Sequence, residues 1–283
     1  MWTLLSAGGL LLSACSTQDQ AEIKRLAMPI AATDRADLIQ DLWEGAWLAA
    51  MLVGILVWGL IIYASFKFRR RSEDEIPVQT RYNPPLEIFY TIAPIMMVIV
   101  FFYFTLDTQN KVIHEDDNPD QTITVVGQQW SWTFNYNLGF NDEERSFEQV
   151  GSGEVVHEGG TTGDRPTLWL VKDKSVEIHL TSPDVVHSFW VPGFLFKMDV
   201  VPGRDNSFVV TPTREGTFDG RCAELCGVYH SRMLFDVKVV EQSEYDAHLE
   251  DLAERGNTGP ATGGVDAGKT AGLDPADDTG GEE

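Results

Sequence analysis

Two long apolar runs constrain this chain more than anything else in it. Leu42 to Phe66 reads LWEGAWLAAMLVGILVWGLIIYASF and Leu86 to Leu106 reads LEIFYTIAPIMMVIVFFYFTL, each with a single charge, Glu44 or Glu87, close to its start. A helix needs roughly 20 apolar residues to cross the hydrocarbon of a bilayer. Both runs reach that length, and a soluble fold has little use for two such helices back to back. They predict a transmembrane hairpin. The segment between them carries Lys67, Arg69, Arg70, Arg71 and Arg81, whereas the outer flanks are acidic, with Asp34, Asp37 and Asp41 on one side and Asp107, Glu115, Asp116 and Asp117 on the other. Basic loops stay on the cytoplasmic side of a membrane. The loop is therefore expected inside and both chain ends outside.

A further signal lies at the start. The chain has three cysteines, Cys15, Cys222 and Cys226, and three cannot all pair within one chain. Cys15 follows a short apolar run with small residues at its end. Leu12-Ser13-Ala14-Cys15 resembles the bacterial lipoprotein box, in which the signal is cut before a cysteine that becomes the lipidated N-terminus. Residues 1–14 are thus expected to be a signal peptide and residues 15–106 the segment with the two spans, with Cys15 exported and lipidated.

From about residue 107 the chain reads as β. QTITVVGQQWSWTFNY, TLWLVK, SVEIHLTS, NSFVVT and RMLFDVKVV are short β-branched or aromatic runs separated by Gly, Pro, Asp and Asn. Such a series predicts a sandwich or Greek-key barrel over residues 107–253. A polar, Gly-rich stretch, about 138–166, reads as a long surface loop. Residues 254–283 are rich in Gly, Thr and Asp and are expected to be disordered. The formal net charge is −22, from 43 acidic against 21 basic residues. That balance excludes nucleic acid as a partner and favours a cationic one, such as a basic protein.

The chemistry is concentrated in GRCAELCGVYHSRMLF, which places Cys222, Glu224, Cys226, His230 and Met233 within twelve residues. The two cysteines could form a disulfide in an oxidising compartment, or supply half of a zinc site. A disulfide leaves His230 and Met233 without a role, and zinc seldom recruits a thioether. Thiolate, imidazole and thioether together suit copper. A second imidazole is available in SPDVVHSFWVPG, where His187 stands among apolar and aromatic neighbours with thirty-four residues between it and Cys222. His114, His157, His179 and His248 fall in linker, loop, strand interior and C-terminal helix, and read as structural or solvent-exposed. A mononuclear blue-copper site needs one cysteine. Two thiolates four residues apart can bridge two metal ions, each capped by its own histidine, and that count of ligands points to a binuclear copper centre.

At this point His187 followed by C-x-E-x-C-x3-H-x2-M resembles the dinuclear copper-A signature of cytochrome c oxidase subunit II. LEIFYTIAP is similar to that family's second membrane helix, VVGQQWSWTFNY to its aromatic-rich first strand, and SPDVVHSFWVPGFLFKMDVVPGR to its segment around the first copper histidine. The likeness covers roughly residues 42–252. The lipoprotein box, the insertion and GFLFKMD are similar to the family's actinobacterial branch.

The resemblance implies a cupredoxin-like external domain. It also implies that Cys222 and Cys226 bridge two copper ions. His187 and Met233 would complete one copper, and His230 with the backbone carbonyl of Glu224 the other. The Glu224 carboxylate would face subunit I and help hold a magnesium or manganese ion. Trp130 would be the electron-entry residue on the outer surface, with Trp132 on the same face, and Asp184 would help attract a basic cytochrome c. Glu87, four residues before Thr91, would stand at the mouth of a proton path into subunit I. Subunits I and III would be partners, with cytochrome c either free or tethered in a cytochrome bc complex. Haem, dioxygen reduction and proton pumping would belong to the partner. Three rivals remain. A quinol oxidase subunit II would lack the copper ligands. A copper-delivery module would carry them on exposed, flexible clusters, and a nitrous-oxide-reducing enzyme's copper domain would not have two spans.

Overall fold

The computed structural model describes residues 22–262, apart from 73–74, 77–78, 115, 117 and 142. Cys15, the expected signal peptide and residues 263–283 lie outside them. The chain divides into a helical unit, 38–112, and a unit containing 22–37 and everything from Ile113 onward.

Helix α1 spans Asp34–Lys67 and α2 spans Pro84–Val112. Both reach beyond the apolar cores, because polar residues at their ends serve as caps. Thr33 Oγ1 accepts a hydrogen bond from the Ala36 amide at 3.3 Å, and Asp34 and Asp37 place negative charge on the first turn. At α2, the Asn83 side chain accepts from the Leu86 amide at 3.4 Å while Glu87 Oε1 accepts from the Asn83 amide at 2.8 Å, an exchange like that of a capping box. Pro84 and Pro85 sit where their missing N–H groups cost nothing. Ile55, Trp58, Phe89 and Val98 are each about two-thirds exposed. Apolar side chains displayed in this way along two helices require lipid or a partner protein around them.

The second unit is a β-sandwich. One sheet has the order β10 (Asn206–Val210), β7 (Val176–Thr181), β1 (Gln121–Gln128), β2 (Ser131–Tyr136), β5 (Val156–Gly159). The other has the order β6 (Thr167–Val171), β12 (Leu234–Val240), β11 (Gly216–Cys222), β8 (His187–Val191), β9 (Phe196–Val200). The β1/β7 and β12/β6 pairs are parallel and the other pairs of the two sheets antiparallel. This is the expected cupredoxin-like arrangement. Trp132, Phe134, Phe189 and Phe235 fill the space between the sheets, with Phe189 and Phe235 stacked at 4.8 Å. Gly220 in β11 must lack a side chain, since a Cβ there would fall onto the Phe235 ring.

Four expectations need correction. VVGQQWSWTFNY is a hairpin, not one strand: Gln128 pairs with Ser131 across a two-residue turn made by Gln129 and Trp130. Trp132 therefore lies wholly in the core, against which the half-buried Trp130 packs from the turn. The 138–166 stretch is also no plain loop. It folds into a β3 (Leu138–Asn141) and β4 (Ser146–Gln149) hairpin and then β5, which extends the first sheet beside β2 and places His157 on a strand. Finally, helix α3 (Gln242–Glu254) is followed by residues that dock instead of fraying. The His157 amide donates to the Asn257 carbonyl at 2.9 Å, Gly259 donates to Val155 at 2.8 Å, and Asn135 Oδ1 accepts from Ala261 at 2.7 Å. The edge of β5 gives these residues backbone partners, which composition cannot reveal.

Residues before α1 also belong to the sandwich. Ala32 and Thr33 are fully buried, and Ala32 donates to Gly193 and accepts from Thr213, each at 2.9 Å.

Candidate metal centre

Three elements bring the ligands together. His187 opens β8, Cys222 closes β11, and the loop from Ala223 to Met233 returns to β12 through a single turn of 3-10 helix at His230–Arg232. Backbone bonds fix the frame: Cys222 donates to Met233 at 3.0 Å and Ala223 to Ser188 at 2.9 Å. The loop is thus held at both ends by strands, as a preorganised site requires.

Within this frame Cys222 Sγ lies 3.9 Å from Cys226 Sγ and 3.9 Å from His187 Nδ1, and 3.2 Å from the Glu224 carbonyl oxygen. Cys226 Sγ lies 3.6 Å from His230 Nδ1 and 3.8 Å from Met233 Sδ. A disulfide would bring the sulfurs to about 2.05 Å, and both cysteines are free. His187 and Met233 are fully buried, and the two cysteines nearly so. The ligating atoms of His187, Cys222 and Cys226 fall within 4.8 Å of one another. All six expected ligand groups converge on one spot.

The electrostatics favour a cation there. Burial pushes the Cys222 thiol up, but hydrogen bonding to His187 and to the Glu224 and Ser188 backbone together outweighs it and brings the group down to about 7. Burial and the neighbouring Cys222 push Cys226 up to about 12. Two sulfurs this close resist carrying two negative charges unless positive charge sits between them. The donor set of two thiolates, two imidazoles, a thioether and a carbonyl suits copper.

The surroundings complete the cradle. Asp184 Oδ1 accepts from His187 Nε2 at 2.9 Å, which turns Nδ1 toward the sulfurs. Asp184 Oδ2 accepts from the Gln129 amide at 2.6 Å, and Oδ1 also from Val185 at 2.6 Å. Burial of Asp184 disfavours its charge, yet these bonds hold its carboxyl below the usual range. The Trp130 indole N–H donates to the Cys226 carbonyl at 3.2 Å, and its half-buried ring packs edge-on against Tyr229 at 5.1 Å. Glu224 presents its side chain to solvent. Glu87 occupies the cap of α2, with Thr91 Oγ1 donating to the Glu87 carbonyl at 2.8 Å. Sequence reading missed Gln129, Gly227 and Tyr229 as parts of the cradle. Gln129 and Cys226 stand 97 residues apart, and only the hairpin brings them together.

Comparison with known proteins agrees with this geometry. Residues 121–240 match the family described as cytochrome C oxidase subunit II, periplasmic domain, and residues 21–107 match its transmembrane domain. The chain belongs to the cytochrome c oxidase subunit II family. It is 46% identical to a probable cytochrome c oxidase subunit 2 of Streptomyces avermitilis, over 91% of this chain and 88% of that one. It is 34% identical to cytochrome c oxidase subunit 2 of Corynebacterium glutamicum, over 87% and 82%. A solved periplasmic domain of subunit II from Bradyrhizobium japonicum is 27% identical, covering 49% of this chain and 96% of that one, with a TM-score of 0.39. As a member of the family the chain is a subunit of an oxidoreductase complex, with two membrane helices and a β-domain whose His/Cys/Cys group fits copper.

Proposed function

We propose that this chain is the electron-entry subunit of a respiratory oxidase, accepting electrons from cytochrome c and delivering them to the haem of subunit I, where dioxygen is reduced and protons are pumped. The observation that carries this reading is the pair of free, buried sulfurs 3.9 Å apart, flanked by two imidazoles and a thioether.

In this reading Cys222 and Cys226 would both take part in holding two copper ions. His187 and Met233 serve one, and His230 and the Glu224 carbonyl serve the other. Copper bound there supplies a one-electron store whose charge is spread over two metals. The chain's own residues hold that store rigid and dry: Met233 and Phe189 exclude water, and Asp184 fixes the His187 ring. Trp130 is the entry residue, because its ring reaches the surface while its N–H meets the backbone of a bridging cysteine. The path from ring to sulfur is then one hydrogen bond and a few covalent bonds. The exposed Glu224 carboxylate is free to help hold magnesium or manganese against subunit I. Asp184 contributes charge to the donor-docking face, and Glu87 with Thr91 lines the start of a proton path.

The remaining assignments follow from sequence: residues 1–14 form a lipoprotein signal, Cys15 carries lipid, and the β-domain and both termini lie outside the membrane. Subunits I and III and a free or tethered cytochrome c are the partners.

The deciding experiment is metal analysis with electron paramagnetic resonance on the full chain. Two coppers per chain, with one unpaired electron coupled equally to both nuclei, is the expected result. One copper per folded chain, or a Cys222–Cys226 disulfide in active enzyme, would overturn the assignment.

A further inference from the structure

The Cys226 carbonyl accepts two hydrogen bonds, one from the Trp130 indole at 3.2 Å and one from Gln129 Nε2 at 2.8 Å. The Gln129 main-chain amide points the other way and donates to Asp184 Oδ2, whose partner oxygen holds His187 Nε2 at 2.9 Å. One residue therefore touches both halves of the cradle, the side that orients the first imidazole and the side that carries a bridging sulfur. Gly227 makes room for this. Its φ is +125°, and a Cβ there would stand 3.0 Å from Trp130 Nε1 and 3.2 Å from Gln129 Nε2. The glycine is needed both for its backbone conformation and for the approach of the two donors.

From this arrangement we propose that Gln129 is a positioning residue for electron entry: its side-chain amide, reaching the Cys226 carbonyl across Gly227, sets the place of the Trp130 ring over the metal loop. A carbonyl oxygen has two lone pairs. With the shorter bond made by Gln129, the second lone pair faces the indole, and the ring is held between that bond and the edge of Tyr229. Without Gln129 the carbonyl loses its fixed direction and the indole is free to leave it. The proposal rests on Trp130 being the entry residue, and the two claims are tested separately.

Two measurements decide it. The first is solvent exchange of the Trp130 indole proton in the full chain in detergent, with the resonance assigned by its loss in Trp130→Phe. Loss of one neutral hydrogen bond in Gln129→Ala is expected to speed that exchange by about fivefold. The second is single-turnover electron entry from reduced cytochrome c in the assembled enzyme, taken through a double-mutant cycle. Gln129→Ala should slow entry when Trp130 is present and change nothing further in Trp130→Ala, because its whole effect passes through the ring. Unchanged indole exchange in Gln129→Ala overturns the proposal. So does an equal slowing by Gln129→Ala in both backgrounds, which would place its effect in the metal cradle. If Trp130→Ala leaves electron entry intact, the entry role falls, and the positioning claim then stands or falls on the exchange measurement alone.

Discussion

Asp184 accepts four hydrogen bonds, from the Gln129, Val185 and His187 nitrogens and the Ser182 hydroxyl. Sequence reading placed it on the donor-docking face, as one acid among many. Its geometry adds a second task, that of fixing the first imidazole. The two tasks predict different things. Asp184→Asn removes the charge but keeps an acceptor for His187 Nε2, whereas Asp184→Ala removes both. If orientation dominates, Asp184→Ala should weaken copper retention by roughly 10- to 100-fold and Asp184→Asn by far less, read as copper remaining per chain after dialysis against a graded chelator. Equal retention in the two variants, with equal loss of salt-dependent cytochrome c affinity, would leave docking as the only role. The six expected ligand groups are legible in the sequence because they lie in two short stretches. Asp184 as an orienting group was not, since three residues of spacing to His187 say nothing about which oxygen faces which nitrogen until β8 and the turn before it are placed.

At the level of elements, the strands with two or more β-branched residues, β1, β6, β7, β10 and β12, stand out in the sequence. Strands β8, β9 and β11 do not: HSFWV and FKMDV flank a Pro-Gly turn, and GTFDGRC carries two glycines and two charges. Their places are set by partners across the sheet. The β1–β2 turn was equally hidden, because Gln129 and Trp130 lack the Asn and Gly that usually mark a two-residue turn.

The environment of His179, a nearly buried histidine on β7, makes a prediction. His179 Nδ1 is 2.9 Å from Asp205 and Nε2 is 3.4 Å from Glu177, with the ring nearly buried. Burial opposes the charge, but hydrogen bonds to the two carboxylates outweigh it and raise the pKa to about 9. Because the folded value lies above the unfolded value of about 6.5, the stabilisation is complete below pH 6.5 and disappears as pH rises through 9. Wild type should exceed His179→Gln in stability by about 2–3 kcal/mol more at pH 6 than at pH 10. Chemical denaturation of the full chain across that range measures the difference. A gap independent of pH would show that the ring is held without charge.

For the molecule as a whole, the distribution of charge matters more than its sum. A chain with a net charge of −22 places four of its 21 basic residues, Lys67, Arg69, Arg70 and Arg71, at the end of α1 and just beyond it. The acidic ends of the two helices are the opposite ones: Asp34 and Asp37 begin α1, and Asp107 lies in the last turns of α2 with Lys111 paired to it at 2.7 Å. That asymmetry predicts the orientation that the proposed function requires, with the basic loop in the cytoplasm and the β-domain outside, where an external donor would reach Trp130. Ser72 lies in the loop and is exposed, which makes it a suitable reporter. Cys222 and Cys226 are only 6% and 4% exposed and should stay silent toward a bulky reagent. In Ser72→Cys, a membrane-impermeant maleimide should label the new thiol in inverted vesicles and leave it unlabelled in right-side-out vesicles until detergent is added. Labelling in right-side-out vesicles at the detergent rate would put the loop outside. Since the chain crosses once on each side of that loop, the β-domain would then be cytoplasmic, and an external cytochrome c could not be its donor.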